Sequence, residues 1–203
     1  VEEIGVGFLF APRHHSAMKH AIGPRKEMGV RTLFNLLGPL TNPAGAPNQV
    51  LGVFSSDWVE PLAHVLQRLG SRHVLVVHAE DGLDEISLAG PTHVAEFVDG
   101  EVRDYTIEPA ALGVDQRTLE GLEVDGATDC LALIRQALGA PDDRSAEARK
   151  AADIVALNAG AALYVAGLAD DLASGVTRVV AAMEDPNPGV KGGGLRRLRE
   201  AGI

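Results

Sequence analysis

The period of the apolar positions changes several times along this chain. Residues 4–11 are almost continuously apolar, which predicts a buried strand ended by Pro12. Over residues 14–28, Ala17, Met18, Ala21 and Ile22 recur at helical spacing. Gly23-Pro24 cuts that stripe, so two short helices, or a helix and a turn, are expected there. A further short helix is predicted over residues 30–37, stopped by Gly38-Pro39, with a second break at Asn42-Pro43. Residues 49–54 (QVLGVF) read as a strand. Ser56 or Asp57 is placed to cap the next helix, whose apolar positions are Trp58, Leu62, Val65, Leu66 and Leu69, with Gly70 at its end. Residues 73–78 (HVLVVH) form an apolar run with little alternation, as expected of a strand covered on both faces. Strand, helix and strand with short links imply a parallel pair joined by a right-handed crossover.

Beyond this unit the punctuation is that of a hairpin. Residues 86–88, 93–98 and 102–107 read as short strands, and Asp99-Gly100 is a strong turn signal. Residues 109–114 are a loop or short helix and 115–126 a polar connection. Helices are predicted over 127–138, 145–167 and 170–184, then a loop over 185–194 and a last helix over 195–201. The class is α/β, and 203 residues suit one domain.

Composition narrows the picture. A formal charge of −10 argues against nucleic acid as a partner of the whole chain. No apolar run has the length of a membrane span, and the acidic start followed by a few apolar residues is not a signal peptide. The single cysteine, Cys130, cannot form an internal disulfide, which fits a reducing, cytoplasmic setting. Its apolar helical context predicts a buried small hydrophobe.

Against this acidic background, residues 14–31 gather His14, His15 and His20 with Lys19, Arg25, Lys26 and Arg31. A local cationic patch of this density suits an anionic ligand, and equally a solvated helix face. Arg25 offers a planar fork that matches a carboxylate, with a surface salt bridge as its ordinary alternative. Asp81, Asp84 and Glu85 follow the strand over 73–78, where parallel sheets place ligands. Adjacent carboxylates suit Mg²⁺, although their spacing alone is that of an acidic turn. Asn158 lies in a long apolar helix and needs buried partners, which points to a structural network. Lys191 with Gly192 to Gly194 lacks the spacing of a phosphate loop.

The pattern Phe10-Ala11-Pro12, His15, Ala17-Met18-Lys19, Arg25 and the run GVRTLFNLLGPLTNPA over 29–44 resembles anthranilate phosphoribosyltransferase. The likeness continues through DGLDEIS over 81–87 and, more weakly, to Asn158-Ala159. It implies part of the α/β domain of the nucleoside phosphorylase and phosphoribosyltransferase type of fold, with a central mixed sheet flanked by helices. It implies transfer of phosphoribosyl from phosphoribosyl pyrophosphate to anthranilate in tryptophan biosynthesis. On the same resemblance Asp84 and Glu85 bind Mg²⁺, with Ser87 a lesser candidate. Arg25 binds the anthranilate carboxylate, and His15, Met18, Gly38 and Pro39 line the acceptor pocket.

The family's lysine-histidine-glycine-asparagine segment and its GTGGD pyrophosphate loop do not occur in these residues. The expectation is therefore a single α/β domain over 1–203, the carboxyl-terminal fragment of a two-domain parent and inactive by itself. The resembled family dimerises through its amino-terminal helical domain. This segment alone is thus expected to be monomeric or ill-behaved, with its helical apolar stripes used up on the sheet. Two other readings stay open: pyrimidine nucleoside phosphorolysis on the same fold, and a non-catalytic relative that binds a phosphate ligand or nucleic acid.

Overall fold

Among the described residues four strands form one sheet in the order β1 (Asn48–Gly52), β2 (His73–Ala79), β3 (Thr92–Val98) and β4 (Glu101–Ile107). β1 and β2 are parallel, whereas β2–β3 and β3–β4 are antiparallel, so the sheet is mixed. The computed structural model describes residues 33–41, 44–139 and 141–183. The strand predicted over 4–11, the helices over 14–28 and 195–201 and the loop over 185–194 lie outside them. The chain divides into two units, Val1–Ala46 and Pro47–Ile203.

In the first unit, α1 spans Leu33–Leu40 and includes Pro39. The helix therefore does not stop at Gly38-Pro39, as the sequence suggested. It continues to Thr41, whose N–H and Oγ1 both donate to the Leu37 carbonyl, at 3.1 and 3.0 Å. Proline removes a donor, but near a helix end the lost bond is local and the turn survives.

The second unit holds the sheet, with helices on both faces. α2 (Val59–Arg68) buries Val59, Leu62, Ala63 and Leu66 on the β2–β3 side of the sheet. Neither Ser56 nor Asp57 caps α2, whose N-cap is Trp58 without a side-chain bond; both lie in a preceding 3-10 turn capped by Ser55, whose hydroxyl accepts from the Asp57 N–H at 3.4 Å. Because side chains alternate along a strand, Val74 and Val76 meet this helix while Leu75 and Val77 point the other way. Those two join Val94, Ile107, Leu157, Ala161 and Val176 in the main core. Leu157 and Ala161 belong to α4 (Ala146–Val165), and Val176 to α5 (Leu172–Met183).

Two glycines let α4 and α5 touch backbone to backbone. A Cβ at Gly160 would fall 2.5 Å from the Val176 nitrogen, and one at Gly175 would fall 2.3 Å from the Gly160 carbonyl oxygen. Among the described elements α3 (Ala127–Ala137) packs mainly along α4, and Ala137 is its one buried residue. Its stripe is not consumed, since Leu131, Ile134 and Leu138 are exposed. For the same reason Cys130 is exposed rather than buried, contrary to the sequence expectation. The hairpin turn carries Asp99 and Gly100 at φ 52° and 87°, the left-handed pair that a two-residue turn requires.

A polar cluster sits inside the α4 face of the sheet. Glu96, on β3, is 7% exposed. Its carboxyl accepts from His73 Nε2 at 2.7 Å and from the Tyr105 hydroxyl at 3.0 Å. The His73 ring meets Tyr164 edge-on at 4.7 Å. Burial, followed by the neighbouring Glu96 charge, pushes the Tyr105 hydroxyl well above the tyrosine range and that of Tyr164 up to about 12.

Two outcomes follow from this packing. Alanine normally improves on glycine inside a helix by ~1 kcal/mol, but Gly160→Ala is expected to destabilise by ~1–3 kcal/mol through overpacking, read from the urea midpoint. The tyrosines set an alkaline limit. Their folded-state values are raised, so their contribution is intact below the unfolded value of 10.0 and declines as pH rises towards the folded values. Stability of Tyr105→Phe should fall less steeply than wild type from pH 10.0 upward in denaturant titrations.

Candidate functional site

The loop between β2 and β3, residues 80–91, leaves the carboxyl end of a strand whose β1 neighbour is parallel to it. This is where open α/β sheets bind ligands. The loop opens with an acidic turn. Asp81 Oδ1 accepts from the Leu83 N–H at 3.0 Å, and the Ala79 N–H donates to the Leu83 carbonyl at 3.0 Å. Asp81 Oδ2 accepts a short hydrogen bond from the Ser87 hydroxyl. That hydroxyl in turn accepts from the Ala89 N–H at 3.0 Å. Asp81 and Ser87 are thus engaged with the loop itself.

Residues 86–88 were expected to form a strand and do not. Ile86, Ser87 and Leu88 are nonetheless fully buried. Their backbone groups must find partners elsewhere, because an unpaired buried amide or carbonyl is costly. The Ile86 N–H donates to Asn158 Oδ1 and the Ile86 carbonyl accepts from Asn158 Nδ2, both at 2.9 Å. The Ser87 N–H donates to Thr92 Oγ1 at 3.2 Å. The Leu88 carbonyl accepts from the Arg117 N–H at 3.1 Å, and the Ala89 carbonyl from Gln116 Nε2 at 2.8 Å. Arg117 is itself anchored to α4 by an ion pair with Asp153 at 2.9 Å. The structural role expected of Asn158 is the one observed, and the 115–126 connection proves to brace the loop.

Asp84 and Glu85 are exposed, on the outer side of this braced segment. Partial burial, followed by the neighbouring Asp84 charge, raises the Glu85 pKa above the usual carboxylate value. Two like charges held side by side form a donor set that a cation would relieve. Among the described residues there is no group of three or more metal-ligating side chains, and this pair is the candidate that the loop presents. Such a set fits Mg²⁺, which takes one or two carboxylates and completes its shell with phosphate oxygens and water.

One residue of this site carried no signal strong enough to single it out. Gly52, the last residue of β1, lies against the loop so closely that a Cβ would fall 1.6 Å from the Asp84 carbonyl oxygen. A glycine inside an otherwise β-rich run marks close backbone approach, and that was the available clue. Next to it the Val53 N–H donates to the Val77 carbonyl at 2.9 Å, and His78 Nδ1 donates to the Val53 carbonyl at 2.8 Å. Of the other candidates, Gly38 and Pro39 lie in the closing turn of α1, in the first unit. His15, Met18 and Arg25 lie outside the described residues.

Comparison with known proteins agrees with this architecture. Anthranilate phosphoribosyltransferase from Thioalkalivibrio sulfidiphilus is 64% identical over 176 residues, covering 87% of this chain and 50% of the relative. The enzyme of that name from Saccharophagus degradans is 61% identical over 176 residues, with 87% and 51% covered. The one from Marinobacter nauticus is 58% identical over 183 residues, with 90% and 53% covered. The chain thus spans about half the length of the curated relatives it matches. In fold it resembles Saccharomyces cerevisiae anthranilate phosphoribosyltransferase in complex with 4-fluoroanthranilate, with a TM-score of 0.80 at 23% identity over 97% of this chain and 54% of that one. The same yeast enzyme in complex with PRPP and Mg gives a TM-score of 0.77 at 24% identity, with 95% and 52% covered. The mixed sheet with its flanking helices is accordingly an α/β domain of the phosphoribosyltransferase type. Residues 1–187 match the family model described as "Glycosyl transferase family, a/b domain", and the chain belongs to that family.

Proposed function

We propose that the full-length protein transfers the phosphoribosyl group of phosphoribosyl pyrophosphate to the amine of anthranilate, releasing pyrophosphate, as a step of tryptophan biosynthesis. The observation that carries this reading is the high identity, over most of the chain, to relatives bearing that enzyme's name. In the reaction the bond from the sugar C1 to the pyrophosphate oxygen breaks and a bond from C1 to nitrogen forms. The aromatic amine is a sufficient nucleophile without a strong protein base.

Asp84 and Glu85 hold Mg²⁺ in this reading, their exposed carboxylates forming the protein's part of its shell. When bound, the ion supplies charge neutralisation to the departing pyrophosphate. Asp81 and Ser87 bind one another and keep the loop in shape. Arg25 pairs its guanidinium fork with the anthranilate carboxylate and so orients the amine. His15, Met18, Gly38 and Pro39 shape the acceptor pocket. The protein acts in the cytoplasm, where the lone Cys130 stays reduced.

The test is acceptor choice by the purified full-length protein, anthranilate against a pyrimidine base. Phosphoribosylation of anthranilate alone supports the reading, and product from the pyrimidine alone overturns it. Arg25→Ala should raise the anthranilate KM by about 10- to 100-fold while leaving the KM for phosphoribosyl pyrophosphate nearly unchanged. Asp84→Asn combined with Glu85→Gln should shift the Mg²⁺ response and the donor KM instead. A double variant with the wild-type Mg²⁺ response would reduce the pair to an acidic turn.

A further inference from the structure

We propose that Asn158 and Gly52 are positioning residues for the acidic pair, the first clamping the peptide groups of Ile86 and the second seating the carbonyl of Asp84. The inference rests on the reading of Asp84 and Glu85 as metal-binding carboxylates and adds to it the device that fixes their geometry.

The argument starts from backbone hydrogen bonding. An extended residue presents its own N–H and C=O on the same edge of the chain. Where a strand would meet them with a neighbouring strand, Ile86 meets the side-chain amide of Asn158, 72 positions away in sequence. Oδ1 takes the N–H and Nδ2 gives to the C=O, so both ends of the amide are used in a single orientation. The second Nδ2 hydrogen goes to the Ile154 carbonyl at 3.1 Å, one turn back on α4, which locks the side chain to its helix. Leucine would fill the same space in this apolar helix at lower desolvation cost. What asparagine adds is directional, a rigid link from the middle of α4 to the residue that follows Glu85.

Gly52 supplies the opposing wall. With a Cβ excluded by the Asp84 carbonyl, β1 and the loop are in backbone contact there. Asp84 is therefore seated on β1 and Ile86 is tied to α4, with Glu85 the one residue between the two anchors. A segment held at both ends over three residues has little slack. The backbone that carries the two carboxylates is thus fixed despite the repulsion between them, the preorganisation a two-carboxylate cation site requires.

The experiment uses the full-length protein and Mn²⁺ alone as the probe, its free concentration followed by electron paramagnetic resonance. Asn158→Leu keeps the side-chain volume and removes the clamp, and Gly52→Ala forces Asp84 off β1. Each should raise the Mn²⁺ Kd by about 10- to 100-fold, the usual effect of losing a partner that orients a metal ligand. The anthranilate KM should stay within about twofold, and amide exchange at residues 84–86 should speed up. Leu66→Ala on the opposite face of the sheet is the control for lost stability. It should lower the melting temperature and leave the Mn²⁺ Kd unchanged. If Gly52→Ala does not fold, Asn158→Leu carries the test alone. Wild-type Mn²⁺ affinity in the positioning variants, with affinity lost in Asp84→Asn/Glu85→Gln, overturns the positioning role by itself. Wild-type affinity in the carboxylate variant overturns the reading of the pair on which that role rests.

Discussion

A loop that buries its backbone must replace the water it gives up, and the β2–β3 loop does so with no strand partner among the described residues. Ile86, Ser87 and Leu88 are as buried as the strands beside them. Four of their peptide groups are met from outside the segment: both groups of Ile86 by the Asn158 amide, the Ser87 N–H by the Thr92 hydroxyl and the Leu88 carbonyl by the Arg117 N–H. Net hydrogen-bond contributions are modest, but a buried group left unpaired costs about 1–3 kcal/mol. The loop therefore keeps one shape because the alternatives leave such groups stranded. The exposed carboxylates of Asp84 and Glu85 take their position from that shape.

α4 is the element through which these constraints are joined. Its buried face supplies Ala156, Leu157 and Ala161 to the core under β2, and its Asn158 reaches the loop. Its Asp153 holds Arg117, and its Gly160 admits α5 at backbone distance. At its penultimate position, Tyr164 meets His73 edge-on beside the Glu96 cluster. Core packing, the polar cluster and the candidate site are in this sense faces of one helix. A displacement of α4 by even part of an ångström would reach all three, since close-packed interiors transmit strain.

The electrostatics of the two ends of β2 differ in kind. At its start, Glu96 is buried and met by a histidine ring and a phenol. At its outlet, Asp84 and Glu85 stand exposed beside each other, and Glu85 is pushed upward in pKa. A buried carboxyl surrounded by donors is a structural element. Two neighbouring carboxylates without that compensation among the described residues, in a chain already at −10, suit a positively charged ligand.

Periodicity by itself determined the element types: the parallel β1–β2 pair, the hairpin at Asp99-Gly100 and the three late helices all follow from local spacing and turn chemistry. Their spacing alone marked Asp84 and Glu85 as an acidic turn, and only the family resemblance singled them out as a candidate metal pair. Only the tertiary structure decided the rest. Residues 86–88 are apolar enough for a strand, yet among the described residues no strand pairs with them, and an asparagine 72 positions from Ile86 takes that role. Gly38-Pro39 carries a stop signal that the last turn of α1 absorbs. Cys130 sits in an apolar helical pattern yet is exposed, on a helix whose main described packing partner is α4. Gly52 and Glu96 read as ordinary strand residues until the close approach of the loop and the facing of Tyr105 and His73 give them work. Spacing along a chain encodes what each segment can form, whereas the partner of a buried polar group depends on which segments meet, and that is a property of the folded whole.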